Sequence, residues 1–160
     1  MANPNNNILM PQTKGTNVAI FSRNWPKYLK AAAKRGANEP TTFRSKVRWV
    51  SAAKAIKLHG PRRIYFASIE GGGLVEFEAD LVDVQLDPVK SNSRTRLLLG
   101  HELAMTEGED LWDDGVQTLY VITNCRKIPT PFPQTRLHKV SDQKPIDANY
   151  IRSYALVVEL

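Results

Sequence analysis

The chain is short of the residues that most often carry chemistry or staple small folds. It has one cysteine, Cys125, so no internal disulfide can form, and that fits a reducing compartment. Its three histidines, His59, His101 and His138, are widely scattered. His101-Glu102 opens like a zinc-protease helix, but Met105 stands where the second histidine is required. No apolar run approaches the roughly 18 residues of a membrane span. The stretch Met1–Asn7 has neither a basic start nor an apolar centre and does not read as a secretory signal. The expectation is a cytoplasmic chain with no membrane partner. Acids are nearly missing from the first part. Residues 1–63 hold 13 Lys or Arg against one acid, Glu39 (13 − 1 = +12), whereas residues 64–160 hold 9 against 15 (9 − 15 = −6). Such asymmetry points to a polyanionic partner for the basic half, DNA or RNA, rather than to a uniformly solvated surface.

What the chain does have is enough apolar material for one core, 42% of 160 residues. Residues 1–15, rich in Asn and Pro, read as a flexible tail, and residues 16–160 as a single domain. The organising stretch is Arg62–Leu86. Two apolar runs, Ile64–Ile69 and Leu74–Leu86, flank Gly71-Gly72-Gly73, the pattern of an antiparallel hairpin. In the second run Val75, Phe77, Ala79 and Leu81 alternate with Glu76, Glu78 and Asp80, and then Val82, Val84 and Leu86 take over. That change of phase predicts a β-bulge or bend, as where a sheet curls toward a barrel.

Around this hairpin the remaining elements follow in order. Asn17–Phe21 reads as a first strand, with Ser22-Arg23-Asn24 offering a helix cap and Trp25-Pro26 opening a helix that Gly36 stops. Tyr28, Leu29, Ala32 and Ala33 form its inner stripe, and Lys27, Lys30 and Lys34 its outer face. Residues 37–46 read as a loop pinned by Phe43, and a second helix is strongest from Ser51 and ends at His59-Gly60-Pro61. A short helix is expected over Leu97–Met105, an acidic loop over residues 107–115, and a strand over Thr118–Asn124. Beyond it come a proline-rich loop through Pro129, Pro131 and Pro133, a helical turn within Asp142–Arg152, and a closing strand over Tyr154–Leu160. The expected fold is α+β, a curled, mixed, mostly antiparallel sheet flanked by short helices.

No catalytic constellation stands out, and no cofactor or metal is expected. Cys125 at a strand end reads as structural. The triple glycine reads as a hairpin turn, since a strand follows it where a phosphate loop needs a helix. The acidic set Glu107, Glu109, Asp110, Asp113 and Asp114 lacks the spacing of a calcium loop, so a solvated loop is favoured. Binding has better material. Trp25 and Trp49 lie among Arg23, Lys27, Arg44, Lys46 and Arg48, a mixture in which cations neutralise phosphates and aromatic faces stack on unpaired bases. Ser22, Asn24 and Ser51 add groups that can read a base edge, and Arg62 and Arg63 stand before the central strand. Against this, large aromatics are usually core. Two alternatives are a small hydrolase (nuclease or amidohydrolase) and a protein-interaction module whose acidic loop meets a basic partner.

Several stretches resemble the PUA-like superfamily, particularly its EVE and ASCH branches. They are Ser22-Arg23-Asn24-Trp25-Pro26, Arg48-Trp49-Val50-Ser51, Ile56–Gly60, Ile64-Tyr65-Phe66-Ala67-Ser68, and Gly73-Leu74-Val75-Glu76-Phe77-Glu78-Ala79. The motif similarity lies within residues 17–86. The resemblance implies a pseudobarrel with a pocket between barrel and first helices, used by relatives to read modified bases in DNA or RNA. It makes Ser22, Asn24, Trp25, Trp49 and Ser51 candidate pocket residues. The chain departs from the family in having Gly60-Pro61-Arg62-Arg63 where Gly-Asp is usual, and beyond Pro129 nothing matches.

Overall fold

The computed structural model describes residues 17–70, 72–104, 115–150 and 152–160. The elements are β1 (Val18–Asn24), α1 (Pro26–Ala33), β2 (Thr41–Ser45), α2 (Val50–His59), β3 (Arg62–Ser68), β4 (Leu74–Leu86), α3 (Ser93–Leu99), β5 (Thr118–Pro133) and β6 (Tyr154–Val158). A 3-10 turn, Gln134–Arg136, follows β5. The six strands form one mixed sheet in the order β2-β5-β4-β3-β1-β6. Only the β1–β3 pair is parallel; the others are antiparallel. The architecture is α+β, as the residue pattern predicts.

The hairpin of β3 and β4 sits at the centre, and its turn uses Gly72 (φ 63°) and Gly73 (φ 83°), backbone that glycine adopts without penalty. β4 keeps both faces busy by bulging. Phe66 pairs with Phe77 but Ala67 with Val75, so Glu76 is extra. Phe66 and Phe77 therefore enter the core beneath α1 and α2, while Ala67 and Val75 enter a second apolar cluster with Phe132, Leu137 and Ile146. The change of phase after Leu81 is a bulge as well. Leu81 pairs with Ile122 and Asp83 with Val121, and Leu81 and Val84 then share the main core. A third irregularity lies across from Glu78 and Asp80, where β5 contains Asn124 with φ 54°.

These bulges bend the sheet. Six flat strands at about 4.8 Å spacing would hold β2 and β6 roughly 24 Å apart. Instead Ser45, at the end of β2, and Ser153, just before β6, are hydrogen-bonded through their hydroxyls at 3.1 Å. No backbone ladder joins β2 to β6 among the described residues, so the sheet is curled but open along one seam.

Five expectations need correction. The segment read as loop 37–46 contains β2, in which Thr41–Ser45 pairs with β5 and buries Thr41, Thr42 and Phe43. β1 runs through Ser22-Arg23-Asn24, which pair with Phe66–Ser68 rather than capping α1. The third helix starts earlier and ends earlier than Leu97–Met105, because Asn92 caps it by accepting from the backbone N–H of Arg94 and Thr95. The prolines after Asn124 do not end the strand. β5 pairs with β4 as far as Pro133, and Pro129, Pro131 and Pro133 are tolerated in a segment that has a strand neighbour on one side only. Residues 142–150 form turns and the Pro145 bridge to His138, with no α-helix. The acidic stretch 107–114, with Trp112, lies outside the described residues, as does the tail.

Candidate functional site

The seam is where the chain gathers its unusual groups. A cavity of about 390 Å³ opens there, between the C-terminal end of β1, residues 42–45 of β2, and Ser153. Seven of the residues singled out by sequence line it: Ser22, Arg23, Asn24, Trp25, Arg44, Lys46 and Trp49. Lys27, Arg48, Ser51, Arg62 and Arg63 do not.

Two cavity residues, Asn24 and Trp25, come from one local accident of sequence. β1 ends at Asn24, whose side-chain oxygen accepts the backbone N–H of Trp25 at 2.7 Å. Pro26 then starts α1 at once, leaving Trp25 in extended backbone (φ −74°, ψ 136°) at the rim, 42% exposed. Asn24 is buried and donates from Nδ2 to the Tyr120 hydroxyl at 3.1 Å. Burial pushes the Tyr120 phenol well above its ordinary range, partly opposed by its bonds to Asn24 and Ser22, so it stays a neutral hydroxyl. Ser22 donates to the Ser153 carbonyl at 2.8 Å and so ties β1 to the start of β6.

Trp49 has a different role from Trp25. It is 1% exposed, with Tyr120 stacked at 4.1 Å on one face and Tyr154 at 4.8 Å on the other. Its indole N–H donates to the hydroxyls of Ser45 (3.1 Å) and Ser153 (3.3 Å), one from each edge of the seam. Both ring faces are covered, so Trp49 has no face left for a stacking base; it meets the cavity as a wall of the core. Ser51 stands behind it, its N–H and hydroxyl bonded to the Tyr154 hydroxyl at 3.2 and 2.9 Å. It braces the stack and does not reach the cavity.

The cations divide in the same way. Arg44 makes a two-pronged pair with Glu102, at 2.6 and 2.9 Å, the side chains 13% and 5% exposed. Arg35 holds the backbone of that corner, donating to the carbonyls of Pro40, His101 and Glu102. Arg48 is exposed and paired with Asp87, which raises the guanidinium and lowers the carboxyl from their ordinary values, mainly through the hydrogen bond between them. Arg63 shares Glu78 with Arg126. Arg62 donates to the Pro61 carbonyl. Lys27 is exposed and lies 5.1 Å over the Tyr28 ring. In the cavity lining the charged residues are Arg23, Arg44, Lys46 and Glu102, a balance of 3 − 1 = +2. With Arg44 and Glu102 satisfying each other, that excess rests on Arg23 and Lys46, neither of which has an ion-pair partner among the described residues.

Sequence reading missed four contributors. Tyr120 and Thr42 look like ordinary strand residues, Glu102 was read only beside His101, and Ser153 carries no local signal. Thr42 stands out: it lines the cavity, is 2% exposed, and its hydroxyl has no hydrogen-bond partner among the described residues. Cys125 lies against the Leu29 carbonyl, and burial pushes its thiol up to about 12, only partly offset by Arg126. Among the described residues no group of three or more His, Cys, Asp or Glu is placed to hold a metal ion, and no helix is long and apolar enough to cross a membrane.

Fold and site together define an α+β domain with a curled mixed sheet and one polar, aromatic-rimmed, cationic cavity at its seam. No protein-family model matches the chain, and no curated protein matches it.

Proposed function

We propose that this domain binds nucleic acid, taking an unpaired, flipped or modified base of DNA or RNA into the seam cavity, and that its curled sheet is a PUA-like pseudobarrel acting in the cytoplasm. The observation that carries the reading is the meeting, around one cavity, of an exposed tryptophan, Trp25, and two cations without carboxylate partners among the described residues, Arg23 and Lys46. A flat ring at the rim stacks on any base, and cations beside it neutralise the flanking phosphates. Asn24 and Tyr120, hydrogen-bonded to each other, hold fixed polar groups in the cavity lining.

The surroundings agree in sign. Lys27, Lys30 and Lys34 on α1, and Lys54 and Lys57 on α2, are all exposed, and neither helix contains an acid. A strand whose base enters the cavity meets these lysines along its backbone. The hydroxyl contact between Ser45 and Ser153 supports the pseudobarrel reading, since it brings the two edges of the open sheet together at one point.

Fluorescence anisotropy with single- and double-stranded DNA and RNA oligonucleotides tests this. Affinity is expected to fall as salt rises, in proportion to the phosphates neutralised. Trp25→Ala is expected to weaken binding by about 1–3 kcal/mol, the worth of one base–aromatic stack. Absence of binding at low salt, or binding indifferent to Trp25→Ala, rejects the proposal.

A further inference from the structure

The cavity carries more information than a stacking platform needs. Two of its cations, Arg23 and Lys46, have no ion-pair partner among the described residues, and one lining residue, Thr42, keeps a buried hydroxyl that has no hydrogen-bond partner among them. A buried polar group left unpaired is unfavourable, and natural proteins keep few of them. Here the unpaired hydroxyl belongs to a residue of β2 whose neighbours in the cavity are engaged: Arg44 with Glu102 through Nε and Nη2, Ser45 with Ser153 and Trp49. Among the described residues the lining thus includes one unpaired hydroxyl, that of Thr42, and two cations without an ion-pair partner, Arg23 and Lys46. At about 390 Å³ the space falls at the small end of ligand pockets, about 300–1,000 Å³.

We infer that the cavity seats a single phosphorylated nucleotide unit. Its base lies on Trp25 and reaches the Thr42 hydroxyl, and its phosphate is held by Arg23 and Lys46. This rests on the base-binding reading and narrows it, because it makes a phosphate part of what the cavity recognises. Arg44, Arg48 and Arg63 are excluded from the phosphate role by their carboxylate partners, although sequence alone ranks them equally with Arg23 and Lys46. The phosphate can come from a free mononucleotide, a strand end or a strand interior, and the chemistry at the rim is shared by all three.

Thr42→Val is an unusually clean probe. It keeps the shape and deletes a hydroxyl that makes no bond in the free protein, so its melting temperature is expected to stay level or rise. Calorimetric titration of the full chain compares the four nucleosides, their 5′-monophosphates, inorganic phosphate, and pentanucleotides with and without a 5′-phosphate. At least one monophosphate is expected to bind at least tenfold more tightly than its nucleoside. The double variant Arg23→Ala/Lys46→Ala removes that difference, and Thr42→Val weakens the monophosphate several-fold without loss of melting temperature. Preference for the phosphorylated pentanucleotide assigns a strand end as the source, and equal binding of the two assigns an interior phosphate.

Nucleoside binding as tight as monophosphate binding overturns the seat, and so does monophosphate binding untouched by the double variant. If oligonucleotides still bind in a Trp25-dependent way, the base-binding proposal survives that loss. If no oligonucleotide binds while a monophosphate does so through Arg23 and Lys46, the seat stands and strand binding is what fails.

Discussion

Replacing Trp49 separates the two tryptophans that look alike in sequence. The ring is 1% exposed, clasped between Tyr120 and Tyr154, and its N–H joins the hydroxyls of Ser45 and Ser153. Trp49→Ala loses the buried side chain, for which large-to-small core changes cost about 3–5 kcal/mol. The two stacks, worth about 0.5–1.5 kcal/mol each beyond burial, place it at the upper end of that range. Trp49→Phe keeps a ring between the tyrosines and loses the donated bonds, at about 1–2 kcal/mol. A domain of this size has about 5–15 kcal/mol in total, so the alanine variant removes a large share. Urea unfolding followed by far-ultraviolet circular dichroism avoids mixing signals from three tryptophans. With a slope of about 2 kcal/mol/M, Trp49→Ala is expected to lower the midpoint by roughly 1.5–2.5 M with the slope unchanged. A shift worth under about 1 kcal/mol, or a phenylalanine variant as damaged as the alanine one, refutes the placement of Trp49 as the pin of the seam.

Trp25→Ala, by contrast, is expected to change stability by less than about 0.5 kcal/mol in the same assay, as for exposed positions generally. Arg44→Met strands the Glu102 carboxylate at 5% exposure and is expected to cost about 3–5 kcal/mol, with Glu102→Gln added to it recovering part of the loss in thermal melts. Cys125 holds its proton in the fold: with the folded value raised to about 12 from an unfolded value near 9.0, stability is level below pH 9 and falls as pH rises toward 12. At pH 8 its labelling by a disulfide reagent is expected to be roughly a thousandfold slower than in denaturant, and comparable rates would show the thiol to be accessible. Gly73→Ala forces a side chain onto φ 83° with its Cβ 3.2 Å from the Gln134 amide oxygen, and is expected to lower stability by about 1–3 kcal/mol; an unchanged melting temperature would contradict that turn.

The central hairpin was legible because its glycines and its alternation both act locally, and even the bulge after Leu81 shows as a change of phase. β2 was not, because Thr41–Ser45 is a five-residue strand with one large apolar side chain, and its identity comes from β5 beside it. The proline-rich half of β5 misled for a related reason: proline argues against a strand only where a neighbouring strand needs the N–H it lacks. At the site, sequence proximity found the right neighbourhood, Ser22–Trp25 and Arg44–Trp49. It did not distinguish a tryptophan at the rim from one in the core, nor a spent arginine from an available one. Those distinctions depend on Tyr120, Glu102 and Ser153, each from a distant part of the chain.

The bond between Ser45 and Ser153 spans 108 positions of the chain. Contacts so distant in sequence carry a large loop-closure cost and form late. Until the stretch around Ser153 arrives, Trp49 has neither its second stacking partner nor its second hydroxyl, and the cavity has no far wall. A nascent chain that has not yet reached Ser153 is therefore expected to have a free sheet edge at β1 and uncovered aromatic rings, the setting in which edge-to-edge association competes with folding. Addition of β6 covers that edge and brings Ser153 to the cavity wall.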